Sequence, residues 1–335
     1  MAEFFLSVAV LVLHMGVIGV MAPLYVGFKR FLESWFLRGV QTPISGRWAE
    51  FFSAYYGGDH TAQMMEIKER KIPIFAAVLS MPAFLSLVSM FAAWALLPSF
   101  SIGMVTASLS SFLTIIGLVI ISRLLGVWGV HSAVNTVKLS VLFFLKDSVW
   151  IMVTAFLVTA IFMNLYGTES VAWCLQQMKE YGFLPDNFAF QVLIAISLLL
   201  VIVQPLSLSG KSLSGKSGSG KFGEDILESF SGRSWFFMAY KADLEQLFWV
   251  TLIGDMVVAP TLIGMPAVFS GVGLVQWLIG LGFAIIVFVV RTFFAALVLV
   301  ILQQLLVLFH GSGRRNGYIS ALLGGITLLL TWGVH

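Results

Sequence analysis

Five ionisable residues, Lys241, Asp243, Glu245, Asp255 and Arg291, fall inside stretches of sequence otherwise fit for lipid. A charge at the centre of a bilayer costs about 2.5 kcal/mol or more on insertion scales, so such residues face protein or water and are functional candidates by default. Lys241 and Glu245 are spaced i,i+4 and share one helix face, which suits a local pair. Glu245 is also a relay candidate, because burial and like-charge contact with Asp243 would raise its affinity for a proton, as relay chemistry requires. Asp255 and Arg291 lie at comparable depth on antiparallel neighbours, which would let them pair. That pair has three readings: a fixed neutralising contact, a member of a charged ion-conducting axis, or two groups exposed to headgroups.

The elements that must position these charges are membrane spans. The chain has 335 residues, 59% hydrophobic and 10% charged, with 30 Phe, far from the mixture that makes a soluble surface. Apolar runs near 4–27, 72–97, 100–122, 148–165 and 188–206 approach or exceed the roughly 20 residues needed to cross hydrocarbon. The stretch 234–268 reads as a sixth span that begins with a polar helix, 272–309 as a tilted or kinked seventh, and 316–332 as an eighth. The fold class expected is therefore an all-α polytopic membrane protein forming a single integral membrane domain. The first apolar run has no basic region before it and is read as a retained span, not a signal peptide.

Charge orients the spans. Of 19 Lys and Arg residues, Lys29, Arg30, Arg38, Arg47, Lys68, Arg70 and Lys71 crowd the first loop. With both termini outside, the inner loops 28–71, 123–147, 207–233 and 310–315 hold nearly all the basic residues, including Lys138 and Lys146, while Lys179 alone falls in an outer loop. A single cysteine, Cys174, excludes an internal disulfide or cysteine metal cluster, and five scattered histidines give no ligand spacing. No metal or cofactor is expected on this chain, and nucleic acid is not implied. His14 reads as a packed or pore-side polar residue.

Residues Gly210 to Ser217 satisfy the pattern G-x-x-x-x-G-K-[ST]. A working phosphate loop needs a strand before it and a helix after it. Here an apolar span precedes and a Gly-Ser-Gly-Lys run follows, so nucleotide binding is rejected in favour of a flexible basic loop. The first inner loop interleaves Trp35, Phe36, Trp48, Phe51, Phe52, Tyr55 and Tyr56 with Arg38, Arg47 and Glu50. It is read either as an interfacial anchor or as a docking surface for a soluble partner.

The segment from Glu228 through Phe230, Ser231, Gly232 and Arg233, after an inner loop and leading into span six, resembles the Glu-Tyr-Ser-Gly segment of the NuoH family, the heel subunit of respiratory complex I, and of its homologue in membrane-bound, energy-converting hydrogenases. Arg38-Gly39 is similar to that family's Arg-Gly-Pro before an amphipathic helix. The resemblance implies a heel-subunit fold of about eight transmembrane helices, with amphipathic helices in the first cytoplasmic loop. It implies a subunit that joins a peripheral electron-transfer arm, with iron-sulfur clusters in partner subunits, to antiporter-like membrane subunits. Docking contacts would come from Arg38, Arg47, Glu50, Glu224, Asp225, Glu228, Phe230 and Arg233. Glu228 stands one position farther upstream than the family's glutamate, and the chain departs from the family in two further places. Lys211, Lys216 and Lys221 occupy a loop that relatives make acidic, and Lys138 and Lys146 stand where the family has an arginine and a glutamate. These departures count against a normal quinone chamber and bring the chain closer to the hydrogenase homologue.

The function expected is a non-catalytic anchor and coupling subunit of an ion-translocating redox complex in a prokaryotic cytoplasmic membrane. The ion-relay candidates are Glu245, Asp243, Asp255, Arg291, Lys241, Lys146 and Lys138. A free-standing secondary transporter or channel, binding substrate at Asp255 and Arg291, is the rival, and a purely structural scaffold subunit the third reading.

Overall fold

The computed structural model describes residues 2–36, 43–56, 73–101, 104–133, 138–181, 232–257, 274–308 and 313–332, together with Ile194 and Ile196. The protein is all-α over these residues. Its helices are α1 (Ala2–Phe36), α2 (Gly46–Tyr56), α3 (Pro73–Leu96), α4 (Phe112–Ala133), α5 (Lys138–Tyr166), α6 (Val171–Tyr181), α7 (Gly232–Val257), α8 (Leu274–Leu308) and α9 (Gly313–Trp332). Three segments among the described residues, Phe4–Phe36, Ser148–Tyr166 and Val275–Ile301, are long and apolar enough to cross a membrane. Shorter apolar helical segments are Met81–Leu96, Phe112–Trp128 and Ala321–Leu330.

The surface of α8 suits a lipid environment. Val275, Ile279, Phe283, Ile286, Val290 and Phe294 are exposed at helical spacing, while Trp277, Leu281, Ala284, Phe288 and Ala296 are buried on the other side. Both faces are apolar, which in water would leave a long hydrophobic stripe uncovered. The buried face joins one continuous core with α1, α3, α4, α5 and α7.

Within that core α7 is the most enclosed element. Leu244, Leu247, Phe248 and Leu252 are fully buried, and the helix packs against α1, α2, α3 and α8. Helices α3 and α4 are the most closely paired. Ser86 Oγ donates to the Ser122 carbonyl and Ser122 Oγ donates to the Ser86 carbonyl, each at 2.6 Å. Ser89 Oγ adds a third crossing to the Leu118 carbonyl at 2.8 Å. Small hydroxylated residues at a helix contact suit an apolar solvent, since they permit close approach and satisfy their own polar atoms. Helix α9 packs on α5, where a Cβ at Gly324 would stand 3.0 Å from Leu157 Cδ1.

Two features of α1 set the entry to the site. Pro23 sits inside the helix and has no N–H to give the carbonyl four residues back, that of Gly19. The Tyr240 hydroxyl of α7 donates to that carbonyl at 2.7 Å. Gly19 allows the approach, because a Cβ there would lie 3.1 Å from the phenolic oxygen. One turn further on, the chain leading into α2 crosses α1 at Gly27, where a Cβ would stand 2.0 Å from the Ile44 carbonyl oxygen. That is a collision with backbone, and no side-chain rotation relieves it. Gly27→Ala is expected to destabilise the protein by about 1–3 kcal/mol, the usual range for overpacking. It should also raise proteolysis of α2 in detergent, and unchanged α2 cleavage would contradict the crossing.

The structure corrects several boundaries. The first helix continues past the expected 4–27 to Phe36, because no glycine or proline follows Gly27 until Gly39 and Lys29 pairs with Glu33 at i,i+4. The expected span 100–122 is helical only from Phe112 on. Before it lie a 3-10 turn at Val105–Leu109 and a bridge from Ser111 to Ser170. Serines dominate that stretch, and their hydroxyls compete for local backbone groups. The expected loop 123–147 is largely helix, since α4 runs to Ala133 and α5 begins at Lys138. Helix α8 runs unbroken through Gly280 and Gly282. Apart from Ile194 and Ile196, the expected span 188–206 lies outside the described residues, as do 207–231.

Helix α5 ends at Gly167, whose φ of 66° is the left-handed geometry favoured after a helix C-terminus. The turn then hands the chain to α6, with Val171 N donating to the Ser110 carbonyl at 2.8 Å. On α6 the lone Cys174 is buried, and burial pushes its thiol up to about 12. The reactive thiolate is therefore scarce at mildly alkaline pH. Maleimide is expected to label the folded chain slowly and the denatured chain quickly, and equal rates would show that α6 is not seated.

Candidate functional site

The first turns of α7 carry charge on two opposite faces. Successive helical residues advance by 100°, so Asp243 points away from Lys241 and Glu245, which lie one above the other. Asp243 faces α2. There Arg47 grips it with two parallel bonds, Nε to Oδ2 at 2.8 Å and Nη2 to Oδ1 at 2.9 Å. Both side chains are buried, 4% and 1% exposed. The Arg47 guanidinium also lies 4.7 Å from the centre of the Phe51 ring and 5.5 Å from that of Trp235, so aromatic faces shield the pair from water. Its remaining nitrogen, Nη1, reaches Glu50 at 2.7 Å, and Glu50 is held from its other side by Arg30 at 2.9 Å. A ladder of alternating charge thus runs from the exposed end of α1 through α2 into the core.

The opposite face of α7 turns to α4. Lys241 Nζ lies 2.5 Å from Glu245 Oε2, and Arg123 Nε donates to Glu245 Oε1. Glu245 therefore sits between two cations. The expected like-charge contact with Asp243 is not made, because the helix turn separates the two carboxylates, and burial alone remains of the two reasons given for proton uptake at Glu245.

Ten residues after Glu245, Asp255 is fully buried and receives a hydrogen bond from Arg291 Nη2 of α8. Arg291 also donates to the Ser99 carbonyl at 3.3 Å and lies across Gly254, where a Cβ would meet its Nε at 3.1 Å. This contact is single-pronged. Asp255 Oδ2 and Arg291 Nη1 have no hydrogen-bond partner among the described residues, in contrast to the fully engaged fork at Arg47 and Asp243. Of the three readings of this pair, headgroup exposure is removed by burial, and a fixed contact and an ion-axis member remain.

His14 is packed. Its Nε2 donates to the Trp94 carbonyl at 3.1 Å and its ring lies 5.3 Å from that of Phe100. Trp94 in turn donates from Nε1 to the Leu244 carbonyl at 3.1 Å, which ties α1 to α7 through α3. Among the described residues no group of three His, Cys, Asp or Glu side chains is arranged to hold a metal.

Of the docking candidates, Arg47 is turned inward and Glu50 lies half-exposed beside it, while Arg233 is exposed with its guanidinium 5.4 Å from the Tyr55 ring centre. Arg38, Glu224, Asp225, Glu228 and Phe230 lie outside the described residues. Lys138 opens α5 and Lys146 falls within it. Sequence reasoning assigned Arg123 to a loop and missed its contact with Glu245. The apolar periodicity that continues to Val130 was the available signal that the helix did not stop there.

Comparison of the chain with protein-family models finds none that matches, and comparison with curated proteins finds no significant match.

Proposed function

We propose that this membrane-associated helical protein is the anchor and coupling subunit of an ion-translocating redox complex, hydrogenase-like or complex I-like. In this reading it has about eight spans in a heel-subunit arrangement. It lies in a prokaryotic cytoplasmic membrane as a multi-pass protein with both termini outside, joining a peripheral electron-transfer arm to antiporter-like subunits. The observation that carries the reading is the distribution of partners along α7. Its carboxylates Asp243, Glu245 and Asp255 are neutralised by cations from three different helices, α2, α4 and α8. The first and last stand about 18 Å apart along the helix axis.

Such an arrangement can transmit a displacement as a change of charge. A partner that shifts α2 moves Arg47 relative to Asp243, and α7 carries that shift towards the half-satisfied pair at Asp255. Pairs with two discrete arrangements are the physical means by which distant sites couple. Glu245 and Asp255 are the relay residues of this mechanism, Lys241 and Arg291 their counter-ions.

The test is ion pumping by the assembled complex carrying Glu245→Gln and Asp255→Asn. The expected result is loss of pumping with the partners still bound. Unchanged pumping in both variants would remove the relay. If the variants keep pumping and assembly is intact, the purely structural scaffold is the better description. Copurification of an iron-sulfur protein in mild detergent distinguishes the subunit reading from a free-standing transporter.

A further inference from the structure

Helix α2 is inside out for a helix on a water-facing surface. Its best-placed charge, Arg47, and its most central ring, Phe51, are buried against α7. The flank beside that buried face carries Trp48, Phe52 and Tyr56 at i, i+4 and i+8, turning outward along the helix. These three rings stack in series, Trp48 on Phe52 at 5.9 Å and 28°, Phe52 on Tyr56 at 6.4 Å and 19°. Phe52 and Tyr56 are 56% and 76% exposed. We propose that this aromatic ladder is seated in the headgroup–acyl boundary of the bilayer, and that the partner of this face is phospholipid.

The depth of α2 carries the inference. Two contacts fix the helix against α1: the backbone crossing of Ile44 on Gly27 and the ion pair of Arg30 with Glu50. Both lie where the apolar part of α1 gives way to Lys29, Arg30 and Glu33, the level at which a spanning helix leaves hydrocarbon. The lipid-facing surface of α1 continues to the same level and ends in exposed Trp35 and Phe36. Indole and phenol rings concentrate at that boundary, because each has an apolar body and one polar tip. The charge beside the ladder agrees. Arg233, exposed next to Tyr55, is placed to meet a lipid phosphate, and Glu50 is held by arginines on both sides. The inference is independent of the proposed redox complex, since it concerns only where this helix lies.

The chain has one cysteine, which is buried, so Cys174→Ala gives a background for placing nitroxide labels. Labels at Phe52→Cys and Tyr56→Cys are read by spin resonance, with the full chain in phosphatidylcholine–phosphatidylglycerol vesicles. Seating in lipid predicts several-fold more frequent collision with dissolved oxygen than with a water-soluble nickel chelate at both positions. Collision favouring the nickel chelate, as for a site in water, overturns the proposal. So does an immobilised label shielded from both agents, which would mean a protein or another copy covers the face. A second measurement guards against a variant that misfolds: quenching of tryptophan emission by brominated lipid, compared between the parent and Trp48→Phe. The parent is expected to lose more emission, and equal quenching overturns the proposal.

Discussion

Replacing Asp243 by Leu is expected to destabilise the protein by about 3–5 kcal/mol, the cost of leaving a buried charge without its partner. Arg47 would remain almost wholly enclosed, beneath Phe51 and Trp235, with only Glu50 to receive it. The measurement is denaturation in detergent, followed by tryptophan emission. A double variant, Arg47→Met with Asp243→Leu, should recover most of the loss, because an apolar pair of similar volume dispenses with desolvation altogether. If the single and double variants were equally unstable, the pair would owe its worth to packing. Glu50→Gln, at a half-exposed site, should cost no more than about 1 kcal/mol. The contrast among the three separates burial from mere charge.

The second large effect is expected at α8. Arg291→Leu leaves Asp255 as a carboxylate with no cation, fully buried, and the expected loss is again about 3–5 kcal/mol. Asp255→Asn should cost less, since the amide oxygen still accepts from Nη2, although Arg291 then loses its counter-ion. Gly254→Ala offers a finer probe. The added methyl meets Arg291 Nε at 3.1 Å, so the guanidinium must move by a few tenths of an ångström while both charges stay. If stability is kept but ion movement by the proposed complex falls, placement of the guanidinium matters beyond neutralisation. An unaffected ion current would assign the pair to structure alone.

How far the chain could be read beforehand depended on the range of the interactions involved. Helix positions at α3, α8 and α9 followed from apolar runs, because a long apolar run is a local property of the sequence. The pairing of Lys241 with Glu245 was equally local, a matter of i,i+4 spacing. The contact of Asp255 with Arg291 was anticipated from depth on neighbouring helices. What could not be read was the partner of Asp243. It lies 196 residues away on a short helix that crosses α1, and that crossing depends on the missing side chain of Gly27. Arg123 failed for a related reason. Next to a run of apolar residues it reads as the end of a span, and only the fold places Glu245 beside it. The resemblance to a heel subunit drew on the segment around Glu228 and Phe230, which lies outside the described residues.

The partners of α7 also bear on biogenesis. Ser86 and Ser122 answer each other's carbonyls, so α3 and α4 can leave the translocon as a finished hairpin soon after synthesis. Helix α7 emerges later into a membrane where Arg47 and Arg123 already wait, and Asp243 and Glu245 can be neutralised on arrival. Asp255 cannot, because Arg291 has yet to be made. For the time the ribosome takes to advance the 36 positions from one to the other, the most deeply buried acid among the described residues has no cation. The last turns of α7 must then stay protonated, wet or chaperoned until α8 arrives, and a pause in translation over that interval would be felt first at Asp255.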